Sequence, residues 1–422
     1  MRETKLNSNI AWNLIVLYLI LVFVGWINIY SASKTEIHYE LLDFSSKYGK
    51  QLLWIAVSLV TVAIILFLDT RFFQQFSSIF YLISILSLIG LFIFGKTING
   101  ATSWYGFGSF TLQPTEFAKI AVALGVSKLL GDKQFDLSNF NNQLKALILL
   151  IIPAILIILQ PDPGSALVYL AFFFVFYREG LPKFYIVLAL IFLLSSILII
   201  KYGLLINQII AFILFLAFLT YIYKYKNHFF RKNVFYYISF YFGFVLFIFS
   251  IHFGYKNLPQ RHIDRINLSL NIEKDTKGKG YNQEQSMIAI GSGGMFGKGF
   301  LQGTQTKGDF VPEQHTDFIF STVGEEWGFI GSAFVIIVFM LFILQIIKIA
   351  ERQKSKFSRI YGYSIASIFF FHFTINIGMS IGILPTIGIP LPFFSYGGSS
   401  ILAFSILLFI FIDLDANKGN EW

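Results

Sequence analysis

The chain has 422 residues, of which 56% are hydrophobic and only 13% charged. Soluble domains average about 45–50% apolar and about 25% charged, so the composition excludes a water-soluble globule, and 51 Phe exclude disorder. The lack of Cys removes disulfide-stapled folds, thiolate metal sites and thiol nucleophiles, and the net charge of +9, which a nucleic-acid binder would gather into one patch, sorts by membrane side instead.

Apolar runs of about 17–22 residues cross a hydrocarbon core of about 30 Å at 1.5 Å per residue. Twelve candidate runs follow one another: roughly 10–31, 51–69, 76–95, 116–131, 144–160, 165–178, 184–200, 204–223, 235–253, 327–349, 359–382 and 398–413. The first is too long for a signal-peptide core and reads as an uncleaved anchor. With the N-terminus inside, the inner loops collect Arg71; Lys133; Arg178 and Lys183; Lys224, Lys226, Arg231 and Lys232; and Lys348, Arg352, Lys354, Lys356 and Arg359. The short outer loops hold only Lys34, Lys47, Lys50, Lys96 and Lys201. This bias predicts both termini in the cytoplasm. The expectation is an all-α polytopic membrane protein of about 12 transmembrane helices, a single transmembrane domain over residues 1–422 with one large external loop.

Residues 253–326 form that loop. Nine of the chain's 33 glycines lie between Gly278 and Gly308, where they permit positive φ and close backbone approach. The segment Gln285–Ile290 is apolar enough to fold back onto the helices, which is allowed where protein covers its backbone. A solvated linker is the alternative, and the interleaved Tyr281, Phe296, Phe310, Asp317 and Phe318 argue against it.

Ionisable side chains at membrane depth are costly and mark candidate functional groups. Glu116 and Lys119 share a helix face, as a substrate-facing pair or as an ion pair that solves its own burial. Asp162 lies between Pro161 and Pro163, where Asp also serves ordinary turn chemistry. Glu325 and Glu326 open the tenth run, where carboxylates favour a helix N-terminus, and are read as structural. His315 and Asp317 are spaced like a metal pair, but such a His is more often a hydrogen-bonded loop residue.

Five motifs occur in order. They are Asn99-Gly100-Ala101-Thr102-Ser103-Trp104 with Gln113-Pro114-Thr115-Glu116-Phe117-Ala118-Lys119; Leu159-Gln160-Pro161-Asp162-Pro163-Gly164; Gly280-Tyr281 through Gly297-Lys298-Gly299; Gly303-Thr304-Gln305 with Pro312-Glu313-Gln314-His315; and Pro385–Phe393 leading into Ser395-Tyr396-Gly397-Gly398-Ser399-Ser400. Together they resemble the SEDS family (shape, elongation, division and sporulation), with the fourth motif similar to its rod-shape branch rather than its division branch.

The resemblance implies a peptidoglycan glycosyltransferase. Such an enzyme polymerises lipid II into glycan strands at the outer face of the cytoplasmic (inner) membrane during cell elongation, inverting the anomeric carbon as lipid pyrophosphate leaves. It implies a class B penicillin-binding protein and other elongation-complex membrane proteins as partners, contact with membrane lipids, and no nucleic acid. It carries the essential carboxylate onto Asp275, in Asp275-Thr276-Lys277-Gly278-Lys279-Gly280-Tyr281, where Thr276 stands in place of the usual Pro. Asp275 as general base, with phosphate oxygens, would also hold a divalent cation, Mg²⁺ or Mn²⁺. Lys119, Arg261, Arg265 and Lys298 are candidates to hold the pyrophosphate, with headgroup contact as the alternative. Glu116, Asp162, Ser395, Gly397 and Gly398 complete the candidate substrate-binding set. The family has ten spans; the 184–253 region here holds three runs where one is expected, so two extra helices are inserted and parity is kept. A flippase for the lipid-linked precursor and a non-enzymatic scaffold are the rival functions, and a scaffold would not need Asp275.

Overall fold

The structure, a computed structural model, describes residues 10–33, 43–98, 100–108, 110–225, 227–258, 260, 263–264, 267, 272 and 280–418. The chain divides into two compact units, Met1–Pro182 with Asn282–Trp422, and Lys183–Tyr281.

The first unit holds helices α1 (Trp12–Ser33), α2 (Lys47–Phe67), α3 (Thr70–Phe94), α4 (Pro114–Gly131), α5 (Phe140–Leu159) and α6 (Pro163–Arg178), the last tightened into a 3-10 turn at Val168–Ala171. Helices α2, α3 and α5 begin a few residues before the apolar runs do. Hydropathy marks where hydrocarbon starts, whereas the side chains of Ser46, Asp69 and Asn139 cap the first turns of α2, α3 and α5 a few residues earlier. Between α3 and α4 lies an antiparallel sheet, β1 (Lys96–Ile98), β2 (Ala101–Phe107) and β3 (Phe110–Leu112), in the order β1-β2-β3. An all-helical reading misses it. The strands are short, and their turns use positive-φ glycines, Gly100 and Gly108.

The second unit holds α7 (Phe184–Tyr225) and α8 (Asn227–Asn257). Gly203 interrupts α7 with φ 82°. The Asn207 side chain donates to the Ser195 carbonyl at 3.1 Å, although twelve residues of straight helix would separate them by about 18 Å. The chain therefore reverses at Gly203, as the gap between the runs at 184–200 and 204–223 suggests. Ile199, Ala211 and Ile248 form the unit's small core, and Phe192–Phe247 and Phe215–Tyr241 stack α8 on both arms of α7.

The first unit resumes with α9 (Tyr281–Ser292), α10 (Ile319–Glu351), α11 (Lys356–Ser380) and α12 (Gly398–Ala416). The glycine-rich segment folds onto the bundle. Gln283 donates to the Met379 and Leu384 carbonyls, and Ser286 to that of Ser380. Of the nine long apolar helices, α11 and α12 are the most enclosed, with 72% and 83% of their spanning windows buried, against 22% for α2, α3 and α5. Helices enclosed by other helices can carry Ser, Tyr, His and Asn because protein supplies the partners. Nine helices among the described residues are long and apolar enough to cross a membrane. The protein is a polytopic, predominantly helical membrane protein.

One reading is corrected. Glu325 and Glu326 do not open a helix, because α10 begins at Ile319 and breaks at Gly328 (φ 65°). The break removes the helical bonds from the Phe329 and Ile330 N–H groups to the Glu325 and Glu326 carbonyls. The loop at 294–299 replaces them. Phe329 and Ile330 donate to the Gly294 and Met295 carbonyls, while the Lys298 and Gly299 N–H groups donate to Glu325 and Glu326. These four backbone groups thus regain partners from protein.

Candidate functional site

Helix α4 starts with Pro114 in its first turn, a position where the missing N–H is harmless. Glu116 and Lys119 follow one turn apart, 3% and 2% exposed. The Lys119 ammonium lies 2.9 Å from both Glu116 oxygens and 3.0 Å from His372 Nε2 on α11. It also stands 4.8 Å from the centre of the Phe404 ring of α12. An ammonium has three N–H donors, and these three contacts use all of them. The other ring nitrogen of His372, Nδ1, lies 3.0 Å from the Pro390 carbonyl. His372 is absent from the sequence-derived set. The signal was available, since an imidazole inside an apolar run is itself a functional candidate.

Asp162 caps α6, accepting from the Ser165 N–H at 3.1 Å and its hydroxyl at 2.8 Å. It also accepts from the Gln113 amide at 3.3 Å, which ties the start of α6 to that of α4. The Gln113 N–H donates to the Ser399 hydroxyl at the start of α12.

The last motif is a braced loop. The Ser395 hydroxyl donates to the Thr316 carbonyl at 2.6 Å and accepts from the Leu391 N–H at 2.9 Å. The Tyr396 N–H donates to the His315 carbonyl, and the Gly397 N–H to the Gln51 side chain. At Gly398 a Cβ would stand 2.2 Å from the Trp54 ring, so the close approach of α2 requires glycine there. One turn after His372, the Asn376 amide donates to the Asp317 and Ile389 carbonyls. Hydrogen bonds therefore join residues 113–119, 160–165, 313–317 and 385–400, which are remote in the chain.

Lys298 donates to Glu325 at 2.8 Å and to the Thr304 hydroxyl at 2.7 Å, with its side chain 27% exposed. Glu325 also accepts from the Gln305 and Thr306 N–H groups at 2.8 and 2.9 Å. Its carboxylate caps the helical turn Thr304–Lys307, so the preference of acids for a helix N-terminus acts on a turn other than its own. His315 stands with Nδ1 3.4 Å from the Lys47 ammonium and Nε2 3.9 Å from the Glu313 carboxylate. Burial, then the Lys47 charge, push its pKa down to about 4. Among the described residues no group of three or more His, Cys, Asp or Glu side chains is placed to hold a metal ion. Asp275, Arg261 and Arg265 lie outside the described residues.

Comparison with known proteins covers nearly the whole chain. The profile of the FtsW, RodA and SpoVE family of cell cycle proteins matches residues 11–219 and 206–420. The peptidoglycan glycosyltransferase RodA of Treponema pallidum is 33% identical over 97% of this chain and 98% of that protein. The peptidoglycan glycosyltransferase MrdB of Escherichia coli K12 is 32% identical over 92% of this chain and 88% of its own length. Among solved structures, a chain described under the structural coordination of polymerization and crosslinking by a peptidoglycan synthase complex aligns with a TM-score of 0.70 at 25% identity, covering 98% of this chain and 99% of that one. The rod shape determining protein RodA of Thermus thermophilus shares the fold, with a TM-score of 0.62 at 22% identity and 97% of each chain covered. The chain belongs to the FtsW/RodA/SpoVE family, the SEDS proteins that its motifs resemble.

Proposed function

We infer that the chain is a peptidoglycan glycosyltransferase that polymerises lipid II at the outer face of the cytoplasmic membrane. Two full-length relatives above 30% identity bear that activity in their names. The observation that carries the reading is the hydrogen-bonded meeting of four of the family's signature segments in one unit. Scattered motifs become one place, as a reaction centre requires.

In this reading the hydroxyl of an acceptor sugar attacks the anomeric carbon of a donor, and the lipid pyrophosphate departs. Asp275 is the general base that takes the hydroxyl proton. Charge growing on the pyrophosphate needs cations. Lys298 suits this role, since two of its three donors are fixed by Glu325 and Thr304 and the group is partly exposed. Arg261 and Arg265 are the further candidates. Lys119 has every donor engaged inside the protein, so its part is to hold α4 against α11 while other cations meet the phosphates. A divalent cation, Mg²⁺ or Mn²⁺, would be held by Asp275 together with oxygens of the substrate's own pyrophosphate.

A class B penicillin-binding protein that crosslinks the product is the proposed partner, in keeping with the synthase complex among the similar structures. We further infer twelve crossings with both termini cytoplasmic. Counting α7 as two arms, and adding α4, which carries Glu116, Lys119 and Lys128, and the shorter apolar helix α6, brings the nine apolar helices to twelve. A flippase reading draws on broken helices near the membrane midplane, but the break in α10 is filled by the backbone of residues 294–299. The test is the purified full-length chain with fluorescent lipid II, with and without the partner. Glycan polymer on a gel is expected, and its absence under both conditions would refute the assignment.

A further inference from the structure

We propose that His372 is a positioning residue for glycan polymerisation, fastening the Glu116–Lys119 pair of α4 to the Pro385–Pro392 loop that carries the last signature. The proposal rests on the glycosyltransferase reading and adds to it a residue outside the family motifs quoted above.

The geometry assigns the imidazole's state. Nε2 faces an ammonium, which can only donate, so Nε2 must accept. The ring proton then sits on Nδ1, which donates to the Pro390 carbonyl. A neutral imidazole in this tautomer is a two-ended strut, with a cation at one end and loop backbone at the other. The ring is 1% exposed and its edge meets Phe404 at 4.9 Å between centroids, so it has no room to swing.

The strut matters because of what it joins. One end reaches α4, whose capping residue Gln113 contacts both Asp162 and Ser399. The other end holds Pro390, next to Ile389, which Asn376 clamps from the same face of α11. Beyond them the loop runs into Ser395–Gly398, braced on Thr316 and His315. Without the strut, Lys119 loses one partner and the loop can drift relative to α4. A displacement of about 1 Å in a reaction centre costs about a hundredfold in rate. The loss belongs in kcat, because the change leaves the lipid-facing surface untouched and alters only the spacing of polar segments.

Two substitutions separate the two ends. An Asn amide nitrogen falls near the place of Nδ1, so His372→Asn keeps the Pro390 bond and drops Lys119. A Gln amide oxygen falls near the place of Nε2, so His372→Gln keeps an acceptor for Lys119. Full-length proteins in nanodiscs are assayed with fluorescent lipid II, with kcat, KM and melting temperature measured for each. The expected result is a kcat at least about tenfold lower for His372→Asn at unchanged KM. His372→Gln, which frees the Pro390 end instead, is expected to lose kcat comparably at unchanged KM, and the two melt together. A wild-type kcat in either variant, or losses that track melting temperature, would overturn the proposal. Should His372→Asn fail to fold, the triple change Glu116→Gln, Lys119→Met and His372→Leu removes the buried charges and with them the burial penalty. Its expected outcome is a folded protein with the same kcat defect, and a full rate from it would overturn the proposal. No polymer from the wild-type chain would defeat the glycosyltransferase reading and this proposal with it. Polymer from wild type and His372→Asn at equal rates would defeat the positioning role alone.

Discussion

Asp275→Asn keeps the size of the side chain and most of its hydrogen bonding, and removes its basicity and charge. Loss of a positioned general base lowers a rate by about 10²–10⁴. The expected outcome is near-complete loss of lipid II polymerisation at unchanged expression and melting temperature. Retention of more than about a tenth of the rate, against that range, would transfer the role to another acid, with Asp162 next. His315 yields a pH prediction. Burial and the Lys47 ammonium hold its pKa down to about 4 in the folded protein, against about 6.5 when unfolded. Between those values the unfolded chain takes up a proton that the folded one does not. Stability therefore falls as pH drops from 6.5 towards 4 and gains nothing from this group above 6.5. Melting in detergent at pH 7.5 and pH 4.5 checks the sign, and His315→Gln is expected to lose less on acidification than wild type.

The repaired break in α10 gives the clearest case among the elements. Its stability depends on two backbones lying closer than side chains allow. A Cβ at Gly297 would stand 2.1 Å from the Glu326 carbonyl oxygen, on a residue at φ 81°. Gly294 also has positive φ (57°), but nothing lies within 4 Å of its Cβ position. Gly297→Ala should therefore combine left-handed strain, a clash and weakened loop-to-helix bonds, about 2–4 kcal/mol. Gly294→Ala should show only the conformational part, about 1–2 kcal/mol. Thermal melts of both variants test this, and equal destabilisation would mean that the close approach does not hold the loop. A weaker hold on 294–299 should also loosen Lys298, so Gly297→Ala is expected to slow polymerisation more than Gly294→Ala.

For the whole molecule the inferred topology makes a labelling prediction. The hairpin at Gly203 keeps the number of crossings even, which places the basic segment around Lys224–Lys232 inside and the glycine-rich segment outside. A Cys introduced at Asn227 should resist a membrane-impermeant thiol reagent in intact cells, and one at Lys307 should react. The chain has no Cys of its own to confuse the result. Labelling at Asn227 would remove the two-span insertion.

By itself the sequence determined the membrane character, the succession of helices, the reversal near Gly203 and the family. Each of these is written in local terms: apolar length, charge sorting and motifs readable in order. The pairing of Glu116 with Lys119 was legible for the same reason, since both lie on one turn of one helix. Packing between distant elements sets the rest: His372 fills the last donor of Lys119, Glu325 caps the turn after Gly303, and loop 294–299 replaces the missing bonds of α10. These contacts join residues 253, 19 to 20 and 27 to 35 positions apart. Hydropathy and spacing describe one element at a time, while a buried donor is satisfied by whichever acceptor the packed bundle brings beside it.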